Sequence, residues 1–106
     1  MKPAEDALDA AREFKNSCLK GDFDRAKFYL IANEKNNINL EDVVKLYNSK
    51  DAEQQKELKE ASIIITSNKE IAPSKFEIVL SNSYDKIADT ISVIKENNFW
   101  LVDLTK

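Results

Sequence analysis

With 106 residues, the chain is long enough for one hydrophobic core and too short for two, so we expect a single domain over residues 1–106. Its 16 Lys and Arg against 19 Asp and Glu give a net charge of −3. The two signs are interleaved, and without a basic stripe the chain is not expected to bind nucleic acid. No apolar run approaches the roughly 20 residues that a membrane-spanning helix needs.

The N-terminal third has the apolar spacing of two helices separated by a tight break. Ala4 to Cys18 repeat small and apolar residues at helical spacing, and Pro3 suits the first turn of that helix. Gly21 is predicted to take the left-handed conformation that ends it. Asp22 follows at once as a predicted cap for the second helix. The break therefore predicts two helices that pack together at an angle.

A third and a fourth helical segment are predicted with less apolar surface. The polar stretch 33–39 is interpreted as a loop that ends in an Asn39 cap, and Leu40 to Tyr47 as a short helix. The stretch 51–60 is helix-prone but has few apolar residues, so it predicts one or two solvent-exposed helical turns.

From Ser62 onward the pattern is that of strands. Four strands are predicted, at Ile63–Thr66, Phe76–Leu80, Ile87–Glu96 and Phe99–Leu104. Pro73 cannot donate a ladder hydrogen bond and marks the first connection. Because helices and strands are segregated, the sequence predicts an α+β fold: N-terminal helices on one face of a curved, mostly antiparallel four-stranded sheet.

Asn97 and Asn98 predict a two-residue hairpin turn, because Asn tolerates the positive φ that such turns require. Pairing Glu96 with Phe99 fixes which side chains share a face of the sheet. The face under the helices is then expected to carry Ile91, Val93, Trp100, Val102 and Leu104. Trp100 and Phe14 are expected to anchor the core there.

The opposite face of the sheet is predicted to be unusually apolar. It carries Ile94, Phe99 and Leu101, and Val79 on the second strand is expected to extend the patch. We therefore expect a symmetric homodimer whose interface includes these four residues. The alternative is partial cover of this face by a loop or by the end of the chain.

Two segments resemble a known family. The break Gly21-Asp22-Phe23-Asp24, followed by a helix that starts Arg25-Ala26-Lys27, and the closing hairpin 93–104 resemble the lumazine-binding-like domains of unknown function from bacterial envelope proteins. These domains belong to the nuclear-transport-factor-two-like, or cystatin-like, superfamily. The family turn is usually Asn-Gly or Asp-Gly, whereas this chain has Asn97-Asn98.

The resemblance implies a cone-shaped cystatin-like domain that is often exported, often dimeric and commonly without known activity. We expect an exported protein, periplasmic or membrane-anchored, with its leader removed and with membrane contact only through a lipid anchor outside this chain. A cytoplasmic protein is the alternative. The expected function is that of a non-catalytic binding or interaction domain.

The residue inventory offers little for catalysis. The absence of histidine removes the commonest general base, a single cysteine cannot form a thiolate zinc site, and a single glycine cannot form a phosphate-binding loop. No catalytic residue, metal ligand or cofactor is therefore predicted. Cys18 lies on the apolar face of the first helix and is expected to act as a small buried hydrophobe.

Two pocket hypotheses remain open. A small apolar ligand could occupy the mouth of the cone, lined by Tyr29, Tyr47, Phe76 and Trp100. An isomerase-like enzyme, by analogy with the ketosteroid isomerase of the superfamily, would pair Tyr29 or Tyr47 with Asp89 or Asp103. The hairpin register places Asp103 on the face turned away from such a pocket.

Overall fold

The computed structural model describes residues 1–104 and confirms the α+β fold. Four helices precede a four-stranded antiparallel sheet of order β1-β2-β3-β4, and the helices pack against the sheet. The elements are α1 (Ala7–Leu19), α2 (Phe23–Phe28), α3 (Glu34–Asn48), α4 (Ala52–Glu60), β1 (Ile63–Ala72), β2 (Lys75–Asn82), β3 (Asp89–Glu96) and β4 (Phe99–Asp103). Residues 105–106 of the expected domain, and any cover that they give the sheet, lie outside the described residues.

Helix α1 begins later than the sequence predicts. Asp6 is its N-cap, and the Asp6 carboxylate accepts a hydrogen bond of 2.7 Å from the backbone N–H of Asp9. Pro3 and Ala4 therefore precede the helix. The Asp6 side chain satisfies a free N–H of the first turn, which Pro3 cannot do, and this fixes the start of the helix at Ala7.

The break between α1 and α2 has the predicted chemistry. Gly21 adopts a φ of +72°. Its N–H donates to the carbonyl of Cys18 at 3.2 Å, and the N–H of Asp22 donates to the carbonyl of Ser17 at 2.9 Å. These two bonds form a Schellman motif, which closes α1. Asp22 then caps α2 by accepting the N–H of Arg25 at 3.2 Å.

The predicted loop at 33–39 is wrong, because α3 starts at Glu34. Asn33 is the N-cap, and its side-chain oxygen accepts the N–H of Asn36 at 2.8 Å. Asn39, predicted as the cap, lies within the helix. Polarity misled the interpretation: the first turn of α3 is polar on all sides, yet Asn36 is fully buried by tertiary contacts.

The predicted register of the last hairpin is confirmed. Asn97 and Asn98 adopt φ values of 51° and 68°, and Glu96 pairs with Phe99. The core under the helices accordingly includes Ile78, Val93 and Val102, all fully buried, together with Phe14 of α1, which is 1% exposed. Trp100 faces the same side but is only partly buried and packs at the margin of this core.

Strand β1 extends well beyond the predicted Ile63–Thr66. It continues to Ala72, and all its residues after Ile65 are exposed. The register with β2 shifts twice, between Ile65 and Ser67 and again between Glu70 and Ala72. Cross-strand pairing with β2 holds this part of β1 in place. The sequence from Thr66 onward has no apolar alternation, and the length of the strand could therefore not be predicted from it.

The opposite edge of the sheet receives the chain that links α2 to α3. The N–H of Val102 donates to the carbonyl of Tyr29 at 2.7 Å, and the N–H of Ile31 donates to the carbonyl of Val102 at 2.9 Å. Leu30 and Val102 thus form a parallel bridge. This bridge ties the helical half of the chain to the last strand.

We predict that Gly21→Ala lowers the free energy of unfolding by about 1–3 kcal/mol, through strain at positive φ and through crowding. A Cβ at this position would lie 2.7 Å from the ring of Tyr47. Urea denaturation measures the loss. In a Tyr47→Ala background the cost of Gly21→Ala should fall, because only the backbone strain remains. An equal cost in both backgrounds would show that the ring contributes no crowding.

Candidate functional site

A cavity with a volume of about 580 Å³ lies between α1, α3 and strands β2, β3 and β4. We call it the large cavity. One part of its wall is apolar and the remainder is polar. The apolar lining residues are Phe14, Cys18, Val43, Ile91 and Leu104. The polar lining residues are Lys15, Asn39, Lys75, Glu77, Asp89, Thr90, Ser92 and Asp103.

An ion pair joins two of the elements that form the large cavity. Lys15 Nζ on α1 lies 2.6 Å from Asp89 Oδ2 on β3. Both side chains are partly exposed, so water screens the attraction and the pair adds little stability. Its relevance is chemical: it places a cation and a carboxylate next to the apolar wall formed by Phe14 and Ile91.

Asn36 fastens the start of α3 to the end of β4. Its Nδ2 donates to the carbonyl of Ile31 at 3.0 Å and to Asp103 Oδ1 at 3.2 Å. Its Oδ1 accepts the N–H of Leu104 at 2.9 Å. The side chain is fully buried, and each of these bonds offsets the cost of removing the amide from water. Sequence reasoning missed this residue, because no local pattern distinguishes it from its polar neighbours.

Asp103 lines the large cavity, in contrast to the expectation that it faces away. The predicted register is correct, since Asp103 pairs with Ser92 on the face turned away from the helices. The expectation failed because α3 reaches round the end of β4, where Asn36 bonds the Asp103 carboxylate. The cavity lining therefore combines both faces of the sheet, with Ile91 from the core side and Ser92 from the opposite side.

Tyr47 secures the other end of α3 and does not line the large cavity. Its ring meets Phe23 edge-on, with centroids 5.5 Å apart, and its carbonyl accepts Gln55 Nε2 at 3.1 Å. It lines a separate groove of about 180 Å³, here called the Tyr47 groove, that also includes Leu58 and Ile63. Helix α3 is therefore held at both ends, with Val43 of its middle section facing the large cavity.

Tyr29 and Trp100 line a further groove of about 220 Å³ beside β4, here called the β4 groove. Tyr29 is 2% exposed, and its hydroxyl donates to the carbonyl of Lys2 at 2.6 Å. Burial, with a contribution from the nearby Glu13 carboxylate, raises the pKa of Tyr29. The groove is lined by Pro3, Ala4, Phe28, Tyr29, Phe99, Trp100 and Leu101.

The four residues predicted to form one pocket do not line a common one. Tyr29 and Trp100 line the β4 groove, and Tyr47 lies at the far end of α3. Phe76 contacts the Trp100 ring edge-on at 5.5 Å but does not line the groove. Neither Tyr29 nor Tyr47 lines the cavity that holds Asp89 and Asp103. The structure therefore does not assemble the Tyr and Asp pair of the isomerase hypothesis.

Cys18 lines both the large cavity and the Tyr47 groove. Burial raises the pKa of its thiol from 9.0 to about 12, against a smaller opposing effect of Lys15. Since the thiolate is the nucleophile, the side chain is unreactive at neutral pH and packs as a small hydrophobe.

Within residues 1–104, no cluster of three or more His, Cys, Asp or Glu could hold a metal ion, and no helix could cross a membrane.

The sheet face turned away from the helices, here called the outer face, brings together three of the four predicted interface residues. Ile94 pairs with Leu101, and Phe99 lies in the next row, paired with Glu96. Val79 pairs with Thr90 instead. A polar row separates Val79 from the other three; it consists of Lys69, Glu77, Ser92 and Asp103.

Comparison of the chain with protein-family models, with curated proteins and with solved structures finds no match. The resemblance to lumazine-binding-like domains therefore stays a prediction.

We predict that Asn36→Asp lowers the free energy of unfolding by about 2–4 kcal/mol at neutral pH, because the variant loses two donated bonds and buries a carboxylate beside Asp103. Burial raises the pKa of the introduced carboxyl in the folded state. The loss should therefore grow as pH rises above about 4 and shrink below it.

Urea denaturation across this pH range measures the Asn36→Asp effect. Asn37→Asp is the matched control, since Asn37 is the exposed neighbour on the same helical turn. An equal loss in both variants would show that the buried hydrogen bonds of Asn36 do not hold α3.

Proposed function

We propose that this protein is a non-catalytic binding domain that holds a small amphipathic molecule in the large cavity. The observation that carries the proposal is the size of this cavity in so short a chain. Its volume of about 580 Å³ falls within the range of roughly 300–1,000 Å³ typical of small-molecule sites. The site lies between separate elements, as such sites commonly do.

The lining supports an amphipathic ligand. Phe14, Val43 and Ile91 offer apolar contact, whereas Ser92 and Thr90 offer hydroxyl groups to a polar end. The charged residues of the lining comprise two lysines and three carboxylates: Lys15, Lys75, Glu77, Asp89 and Asp103. This balance disfavours a polyanion such as a nucleotide, and it favours a neutral or weakly charged head on an apolar body.

A non-catalytic role is supported by the chemistry at the cavity. The thiol of Cys18 is held in its protonated form by burial, and Asp89 is engaged by Lys15. Asp103 accepts a hydrogen bond from Asn36. These contacts favour roles in packing and pairing over proton transfer.

We predict that the neutral fluorescent probe N-phenyl-1-naphthylamine binds this protein saturably in a fluorescence titration. Val43→Trp should weaken binding about tenfold or more, because the larger side chain fills the cavity. Val44→Trp is the control on the same helix, since Val44 does not line the cavity.

Leu101→Lys changes the apolar outer face and leaves the large cavity intact. It should therefore leave the affinity for the probe unchanged, which distinguishes binding in the cavity from binding to the outer face. Equal affinity of the two tryptophan variants, or no saturable binding to the parent protein, would contradict the proposal.

We further propose that the protein works in a bacterial cell envelope. The support is the resemblance of the break at 21–24 and of the hairpin at 93–104 to envelope domains. Fractionation of cells that express the natural reading frame with a C-terminal tag tests this location. The expected result is recovery in the envelope fraction, and recovery with a cytoplasmic marker would overturn it.

A further inference from the structure

Three residues at the free edge of β4, or just beyond its end, direct their backbone N–H and carbonyl away from β3. In an antiparallel ladder such residues alternate with those that bond the neighbouring strand. Val102 is one of them, because its N–H donates to Tyr29 and its carbonyl accepts from Ile31. Trp100 and Leu104 lie two residues away on either side, so their backbone groups point the same way.

The helical half of the chain covers two of these three positions. The segment that links α2 to α3 bonds Val102 at 2.7 and 2.9 Å. The backbone N–H of Leu104 donates to Asn36 Oδ1 at 2.9 Å, and its carbonyl accepts Asn39 Nδ2 at 3.5 Å. Natural proteins commonly cover the edges of their sheets in this way, because an exposed edge can pair with another chain.

The third position, Trp100, is left open. Its register partner on β3 is Lys95, which donates its own backbone N–H to the carbonyl of Ser74, on the side of β2. Lys95 and Trp100 therefore do not bond each other through their backbones, and the backbone groups of Trp100 face outward. No group within residues 1–104 bonds the backbone N–H or carbonyl of Trp100. The edge thus presents one free donor and one free acceptor.

The β4 groove runs along this open position. Its lining includes three consecutive strand residues, Phe99, Trp100 and Leu101. Consecutive side chains of a strand point to opposite faces, so a groove lined by all three follows the backbone edge of the strand. The other wall is largely apolar and consists of Pro3, Ala4, Phe28 and Tyr29.

The size of the β4 groove fits a side chain better than a whole ligand. Its volume of about 220 Å³ lies below the range of roughly 300–1,000 Å³ that is typical of small-molecule sites. A free backbone donor and acceptor beside an apolar groove is the arrangement by which a sheet edge takes up a further strand.

We propose that β4 binds an extended peptide segment of another protein, which adds a strand at Trp100. The peptide backbone accepts the N–H of Trp100 and donates to its carbonyl, and an apolar side chain of the peptide enters the β4 groove. Leu30 already occupies the edge at Val102, so the peptide enters from the hairpin end and must end or bend away before Tyr29. No described residue lines both this groove and the large cavity, so the two proposals are independent.

The open backbone groups favour a peptide over an apolar small molecule. Such a molecule would fill the groove and remove water from the N–H and carbonyl of Trp100 without replacing their hydrogen bonds, which costs free energy. The geometry also disfavours a second copy. Antiparallel pairing of two β4 edges about Trp100 would set the partner's Asn98 beside Val102, in the place that Leu30 occupies.

Fluorescence anisotropy of the fluorescein-labelled peptide Thr-Leu-Thr-Leu-Thr tests the groove. We expect saturable binding, half-complete below about 1 mM protein, and a loss of about tenfold or more in Leu101→Lys, which places a charge in an apolar groove. Ile94→Lys is the matched control, because Ile94 pairs with Leu101 on the same face but does not line the groove. Circular dichroism verifies that each variant is folded. Equal losses in both variants, or no saturable binding to the parent, would overturn the proposal.

N-methylation of the peptide tests the backbone pairing. In a docked strand only alternate residues direct their N–H to β4. Methylation of both leucine nitrogens, or else of the second and third threonine nitrogens, should therefore abolish binding, and the other pair of methyl groups should be tolerated. Similar affinity of the two methylated peptides would show that the groove binds side chains without adding a strand, and it would contradict the proposal.

Amide hydrogen exchange, followed by nuclear magnetic resonance, tests the open position directly. In the free protein the amide of Trp100 should exchange faster than that of Val102, which is already bonded. The peptide should slow the Trp100 amide about tenfold at nine-tenths saturation, because only the free tenth of the protein then exchanges. A Trp100 amide that is as slow as that of Val102 without peptide would show that the edge is already covered, and a Trp100 amide that the peptide does not slow would show that it binds elsewhere. Either result would overturn the proposal.

Discussion

The two backbone hydrogen bonds between Val102 and the chain at Tyr29 and Ile31 join the two halves of this protein. Without them, side-chain contacts and the segment between α4 and β1 would have to link the four helices to the four-stranded meander. The bridge places the start of α3 at the end of β4, where Asn36 can reach Asp103 and Leu104. The position of α3, and hence the existence of the large cavity, depends on this junction.

The cavity results from how α3 is held. Buried hydrogen bonds of Asn36 fix one end, and the ring of Tyr47 packs near Gly21 and against Phe23 at the other. A helix anchored at both ends spans the space between them as a rigid element. Space therefore remains beneath its middle section, where Val43 faces Ile91 and Phe14 across the cavity.

The sequence was informative where local chemistry decides the structure. Gly21 and the Asn97-Asn98 pair are positions at which few other residues fit, so the helix break and the hairpin register could be predicted. The start of α3 and the length of β1 depend on tertiary contacts that local polarity does not reveal. The candidate site could not be predicted for the same reason, since aromatic residues such as Tyr29 and Tyr47 were expected to converge and instead anchor different ends of the fold.

The irregular ladder of the edge strand β1 has a consequence for solubility. A long exposed edge strand is a template for adding further strands, and repeated addition leads to open-ended fibres. In β1 the two register shifts interrupt the straight ladder that such growth requires, and Pro73 follows directly at the turn. These features disfavour association through that edge. The sheet is thereby protected from edge-to-edge polymerisation, even though β1 is long and exposed.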